Sequence, residues 1–150
     1  KTSRLYRRLV FEERIATDVS ASQNSREIGG YVQIASTAAP GHTLEEIQHV
    51  ILEEIARFSL EGPTEDEVER GRVQAEAQFV FRLQTVGGFG GKSDQLNAYN
   101  VLVGDPSYFA RDEQRYLAAT KDSLRQTTHR YLQTARRVAL SIVPRERLIS

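Results

Sequence analysis

The chain has no cysteine, no methionine and no tryptophan, only four prolines, and no excess charge of either sign. Without cysteine there is no disulfide and no thiolate chemistry, so redox usage says nothing about compartment. Twenty basic residues balance twenty acidic ones. That balance argues against a dedicated nucleic-acid or membrane-surface binder, which would normally show a basic patch. The longest apolar runs are a few residues, such as Val101-Leu102-Val103. A membrane span needs ~20, and no signal-peptide pattern is visible. The missing methionine also means the chain has no start residue. It opens Lys1-Thr2-Ser3-Arg4-Leu5-Tyr6, as if inside an amphipathic helix, and the expectation is a piece of a longer protein. What is present suits a folded domain. Apolar residues make up 39% of 150, enough for a core and too many for disorder. Length alone predicts a single domain over residues 1–150.

Apolar spacing predicts the elements. Residues 2–13 read as a short helix with Leu5, Leu9 and Val10 inward. Ile15, Thr17, Val19 and Ala21 alternate like a half-buried strand. The turn-like stretch 23–27 follows, then a second strand over 30–37, with Gly29-Gly30 as a bulge at its start. The pair predicts an antiparallel hairpin. The period then lengthens: Leu44, Ile47, Ile51, Ile55 and Phe58 share one helical face. Thr43 with Glu46 and Thr64 with Glu67 are capping boxes, separated by the stop signal Gly62-Pro63. Val68, Gly71, Ala75, Phe79 and Leu83 carry the next helical face, expected to pack with the previous one and onto the sheet. Gly87-Gly88-Phe89-Gly90-Gly91 interrupts, and Leu96, Tyr99 and Val103 resume. Gly104-Asp105-Pro106 reads as a C-terminal glycine, an N-cap and a first-turn proline. Thr120 caps a last helix, and Val138, Leu140 and Ile142 alternate on a final strand closed by Pro144. Strands joined by a turn pair antiparallel, so the class is α+β, an antiparallel sheet with helices packed on one face.

No catalytic constellation emerges from these residues. His42, Glu45, Glu46 and His49 lie near one helical face, and their types suit zinc. Yet His42 precedes the cap, Glu46 belongs to the capping box, and the stripe lies opposite the apolar face, where solvated residues belong. Neither HExxH nor HxxEH occurs. Gly91-Lys92-Ser93 resembles the end of a phosphate loop, but Val86 stands where the motif needs its first glycine, and a helix precedes it where a strand should. Gly88-Phe89-Gly90 fails as a dinucleotide fingerprint for the same reason. The glycines read instead as a flexible break or a close backbone approach. The sequence offers no recognisable carboxylate–His–Ser set around His129, which reads as a surface or packed histidine.

A resemblance adds to this. Gln95-Leu96-Asn97-Ala98-Tyr99, Gly104-Asp105-Pro106-Ser107-Tyr108-Phe109, Arg115-Tyr116, Thr120-Lys121-Asp122, Tyr131-Leu132 and Arg137 through Pro144 resemble the closing half of an insulinase/pitrilysin-type zinc metallopeptidase domain, of the kind that includes mitochondrial processing peptidase. Thr2 through Leu9, Ile15 through Ala21 and Glu61 through Glu67 resemble earlier segments of the same domain. The resemblance implies an α+β unit that, with homologous units, encloses a chamber where peptides are cut. One domain of such an assembly carries HxxEH and holds zinc with its activated water. This chain lacks the motif and resembles the non-zinc-binding C-terminal partner, without that domain's first strand and helix.

The family often pairs an arginine with a tyrosine seven residues later to hold substrate at the zinc. Aligned on Leu9 and Val19, those positions are Val10 and Thr17 here. Neither offers a charge-assisted or phenolic hydrogen bond, and Arg8 and Arg14 lack the spacing. The resemblance therefore implies no catalytic and no metal-binding residue in this chain. It implies zinc in an upstream or partner domain, a homo- or hetero-dimer partner and a peptide substrate, with a bacterial periplasmic or cytoplasmic setting. The alternative it implies is a catalytically inactive scaffold or assembly subunit. With three histidines and no cysteine, the chain dialysed against zinc should retain far less than one equivalent by metal analysis. Stoichiometric zinc lost on His42→Ala or His49→Ala would overturn that expectation.

Overall fold

The computed structural model describes residues 2–144. Among them the order is α1 (Arg4–Tyr6), a π-helix (Arg7–Glu12), β1 (Ala16–Ser25), β2 (Gly30–Ala38), α2 (Leu44–Glu61), α3 (Glu65–Gln84), α4 (Lys92–Val103), α5 (Phe109–Leu117), α6 (Lys121–Tyr131) and one 3₁₀ turn (Thr134–Arg136). The class is α+β, as the periodicities predict. The described residues gather into two compact units, one of 2–57 with 128–144 and one of 58–127.

The first unit is built on the hairpin. β1 and β2 pair antiparallel from Ala16↔Ala38 to Ser25↔Gly30. The strands run further than the sequence suggests. Gln23, Asn24 and Ser25, expected in the turn, pair with Val32, Tyr31 and Gly30. Both faces are largely exposed at that end, so polar side chains lose no solvation by joining a ladder. The expected bulge at Gly29-Gly30 is not there. A Cβ on Gly30 would meet the Asn24 carbonyl oxygen at 2.8 Å, so the glycine permits a close backbone approach. The register break lies at the other end of the sheet, between Ala16 and Asp18.

The opening helix is wider than predicted. Glu13 N–H donates to the Arg8 carbonyl at 2.9 Å, the i→i+5 closure of a π-turn. Widening brings Leu5, Leu9 and Val10 to one side, where a cluster of Leu9, Ile15, Ala16, Ile47 and Val50 forms the core of this unit. Leu9 is wholly buried, which stabilises by roughly 1.5–3 kcal/mol over an exposed leucine. Arg14 (φ 56°) then turns the chain in the left-handed conformation usual just past a helix end.

The second unit is organised by caps. The Thr64 hydroxyl accepts from Glu67 N–H at 3.2 Å and the Glu67 carboxylate accepts from Thr64 N–H at 2.8 Å, the reciprocal box read in the sequence. Thr120 does the same with Ser123. Gly104 (φ 73°) closes α4 as expected. Asp105, however, does not cap α5. Its carboxylate accepts from the N–H and hydroxyl of Ser107, which hold it below the usual carboxylate range, and α5 starts later at Phe109. Val68 and Phe79 are buried along α3, whereas Gly71 and Leu83, read as inward, are exposed. Phe79 meets Phe109 and Tyr116 of α5 edge-to-face at 5.2 and 5.4 Å.

The final strand read from Val138, Leu140 and Ile142 does not form. Residues 137–144 pair with no strand among the described residues, and these three side chains are 96, 81 and 80% exposed. Alternation records that a segment can present one face to a sheet; a ladder needs a partner as well.

Two outcomes follow for the second unit. Phe79→Ala should lower stability by about 3–5 kcal/mol, as for other buried phenylalanines, in urea denaturation. A loss under ~0.5 kcal/mol, the range of surface substitutions, would place Phe79 outside the core. Tyr99 is buried and donates to Asp112 Oδ2 at 2.9 Å; burial, then that bond, push its phenol up to about 12. A raised value means that the protonated form is favoured by folding. The contribution is therefore complete below the ordinary phenol value near 10 and lost as pH rises through about 12. Ultraviolet titration should show one late tyrosine, absent in Tyr99→Phe; simultaneous ionisation of all six would refute the assignment.

Candidate functional site

Val10 and Thr17 stand where the resemblance places a substrate-holding pair, and both take part in local architecture. Val10 is half-buried and packs on the Leu9–Val50 cluster. Thr17 was expected to share a face with Val19. It lies instead at the register break between Ala16 and Asp18, exposed, with its hydroxyl 3.3 Å from the Thr37 carbonyl oxygen and 3.4 Å from Asp18 Oδ1. The extra residue shifts the strand's phase by one, so Ile15 and Ala16 are both buried and Thr17 turns outward. Asp18 secures the break: its carboxylate accepts from Thr37 N–H and its carbonyl from Ser36 Oγ.

The polar stripe tested for metal binding resolves into separate pairs. His42 Nδ1 lies 3.5 Å from Glu46 Oε2, while Glu46 accepts from the N–H and hydroxyl of Thr43. The Thr43 N–H, first among these, holds the Glu46 carboxyl below its usual range. One turn on, His49 Nε2 lies 3.1 Å from Glu53 Oε1. Among the described residues no three His, Cys, Asp or Glu side chains converge as a metal site.

The main concentration of charge is one that spacing did not reveal. Glu54 falls on the buried stripe of α2 with Ile47 and Val50, and it is 4% exposed. Three arginines surround it. Arg57 Nη2 donates to Glu54 Oε1 at 2.8 Å. Arg4 Nη1 lies 3.7 Å from Oε1, and Arg8 Nη1 3.9 Å from Oε2. Oε2 is also 2.7 Å from Arg57 Nη2 but accepts no aligned hydrogen bond, so charge and not geometry holds it. Arg8 continues the network to Glu53 and to Glu13, the latter at 2.6 Å. The Glu53 and Glu13 hydrogen bonds raise the Arg8 guanidinium's pKa, and Arg8 in turn holds the Glu53 carboxyl below its usual range. A lowered carboxylate pKa contributes stability present at neutral pH and lost as pH falls through it. Arg8 is thus engaged by carboxylates on every side. The sequence signal was available: an acidic residue in register with Ile47 and Val50, with arginines one helical turn apart at 4 and 8.

The glycine stretch is a bonded turn. Lys92 N–H donates to the Thr85 carbonyl, Ser93 N–H to Val86, and Gly90 N–H to Asp94 Oδ2. A Cβ on Gly91 would meet the carbonyl oxygens of Gly87 and Thr85 at 2.8 Å. Close approach, one of the two readings, accounts for that glycine. Lys92 opens α4 after a helix, not after a strand.

Residues 1–74 match the family model of the Peptidase M16 inactive domain. That match covers just under half of the chain. No curated protein sequence matches it. Solved structures extend the likeness of fold past the matched residues. The inactive peptidase domain of a candidate zinc protease from Bordetella parapertussis is 18% identical, covers 99% of this chain and 79% of its own, and superposes with a TM-score of 0.76. A candidate zinc protease from Bordetella pertussis Tohama I is 20% identical over 96% of this chain and 77% of its own, with a TM-score of 0.79. A protease from Helicobacter pylori is 19% identical over 89% of this chain, with a TM-score of 0.74; this chain spans 31% of it. The Glu54 network lies within the matched residues 1–74, and the capped helices of the second unit lie largely outside them.

Substitutions in that network should separate buried from exposed charge. Glu54→Gln should destabilise by about 1–3 kcal/mol, the cost of leaving buried polar groups poorly partnered. This is below the ~3–5 kcal/mol of a fully buried pair, because Arg57 is half in water. Glu53→Gln, on the exposed rim where solvent screens the ion pair with Arg8, should cost less than Glu54→Gln. Equal losses in chemical denaturation would show that Glu54 is not the centre.

Proposed function

We propose that the chain is a non-catalytic domain of a zinc-dependent metalloendopeptidase and forms part of its substrate chamber, with the zinc in another domain of the same polypeptide or of a partner. The observation that carries the reading is fold correspondence over 99% of the chain with an inactive peptidase domain, together with the M16 inactive-domain match at residues 1–74. Residues 1–150 act in this proposal as one domain. Supporting it, the sequence has no HxxEH, and Val10 and Thr17 are engaged in the core and the sheet. No helix among the described residues is long and apolar enough to cross a membrane.

In this proposal zinc supplies the activated water. The donor that steadies the developing oxyanion must then come from elsewhere, since losing one such donor typically costs ~10²–10³ in rate. The active species is a homo- or hetero-dimer in which a partner contributes the arginine and tyrosine. A second reading, an inactive scaffold or assembly subunit, draws on the same two positions, because a subunit without chemistry has no need of the pair.

The isolated chain should cleave no peptide in a library assay. The longer parent protein should gain activity with concentration or on adding a partner subunit carrying the Arg/Tyr pair. Full activity in a strictly monomeric parent, unchanged by Val10→Arg with Thr17→Tyr, would overturn the division of labour. Inactivity with every partner, despite correct folding, would favour the scaffold.

A further inference from the structure

We draw no further inference here: the strongest candidate, the exposed apolar segment 138–143 that follows the last helical turn, pairs with no strand among the described residues and nothing in the structure shows what covers it.

Discussion

A carboxylate withdrawn from water must find compensating charge, and Glu54 is the point where this constraint organises the first unit. Its partners come from two directions. Arg4 and Arg8 reach it from the opening helix and Arg57 from its own helix. Arg8 can serve Glu54, Glu53 and Glu13 because the π-turn places Glu13 within its reach while Leu9 points the other way into the core. The ion cluster and the apolar cluster are thus two sides of one helix contact. Apolar burial supplies most of the attraction, and the charges restrict which helix register satisfies it.

The second unit relies on local chemistry. Threonine hydroxyls close the first turns of α3 and α6, and Gly104 closes α4. The unit's buried aromatics are Phe79 and Tyr99, with half-buried Phe109 and exposed Tyr116 edge-to-face on Phe79. Arg72 reaches from α3 to the Ala119 carbonyl, satisfying a backbone oxygen just before α6.

The register break decides what β1 does with its extra residue. A threonine at a register break bonds its neighbours' backbone, and a valine on a core-facing π-turn packs. Those roles follow from short β-branched side chains. An arginine at 10 would place a charge against the Leu9–Val50 cluster, so the local packing disfavours a charged side chain there.

By itself the sequence determined what acts over three or four residues. The helices themselves, both capping boxes, the Gly62-Pro63 stop, the hairpin and the α+β class were legible because each rests on contacts between near neighbours in the chain. The predicted inward faces held only in part: Leu83, Leu96 and Val103 are exposed. The family resemblance was legible in segments dispersed along its length. Only tertiary structure decided the rest. The bulge at Thr17 depends on where β2 pairs, the π-turn on Leu9 and Val10 meeting α2 and β1, and the burial of Glu54 on arginines some fifty residues earlier in the chain. The segment after the last turn shows the limit most plainly: Val138, Leu140 and Ile142 alternate as a strand does, yet alternation specifies a face and not the neighbour whose backbone must complete the ladder.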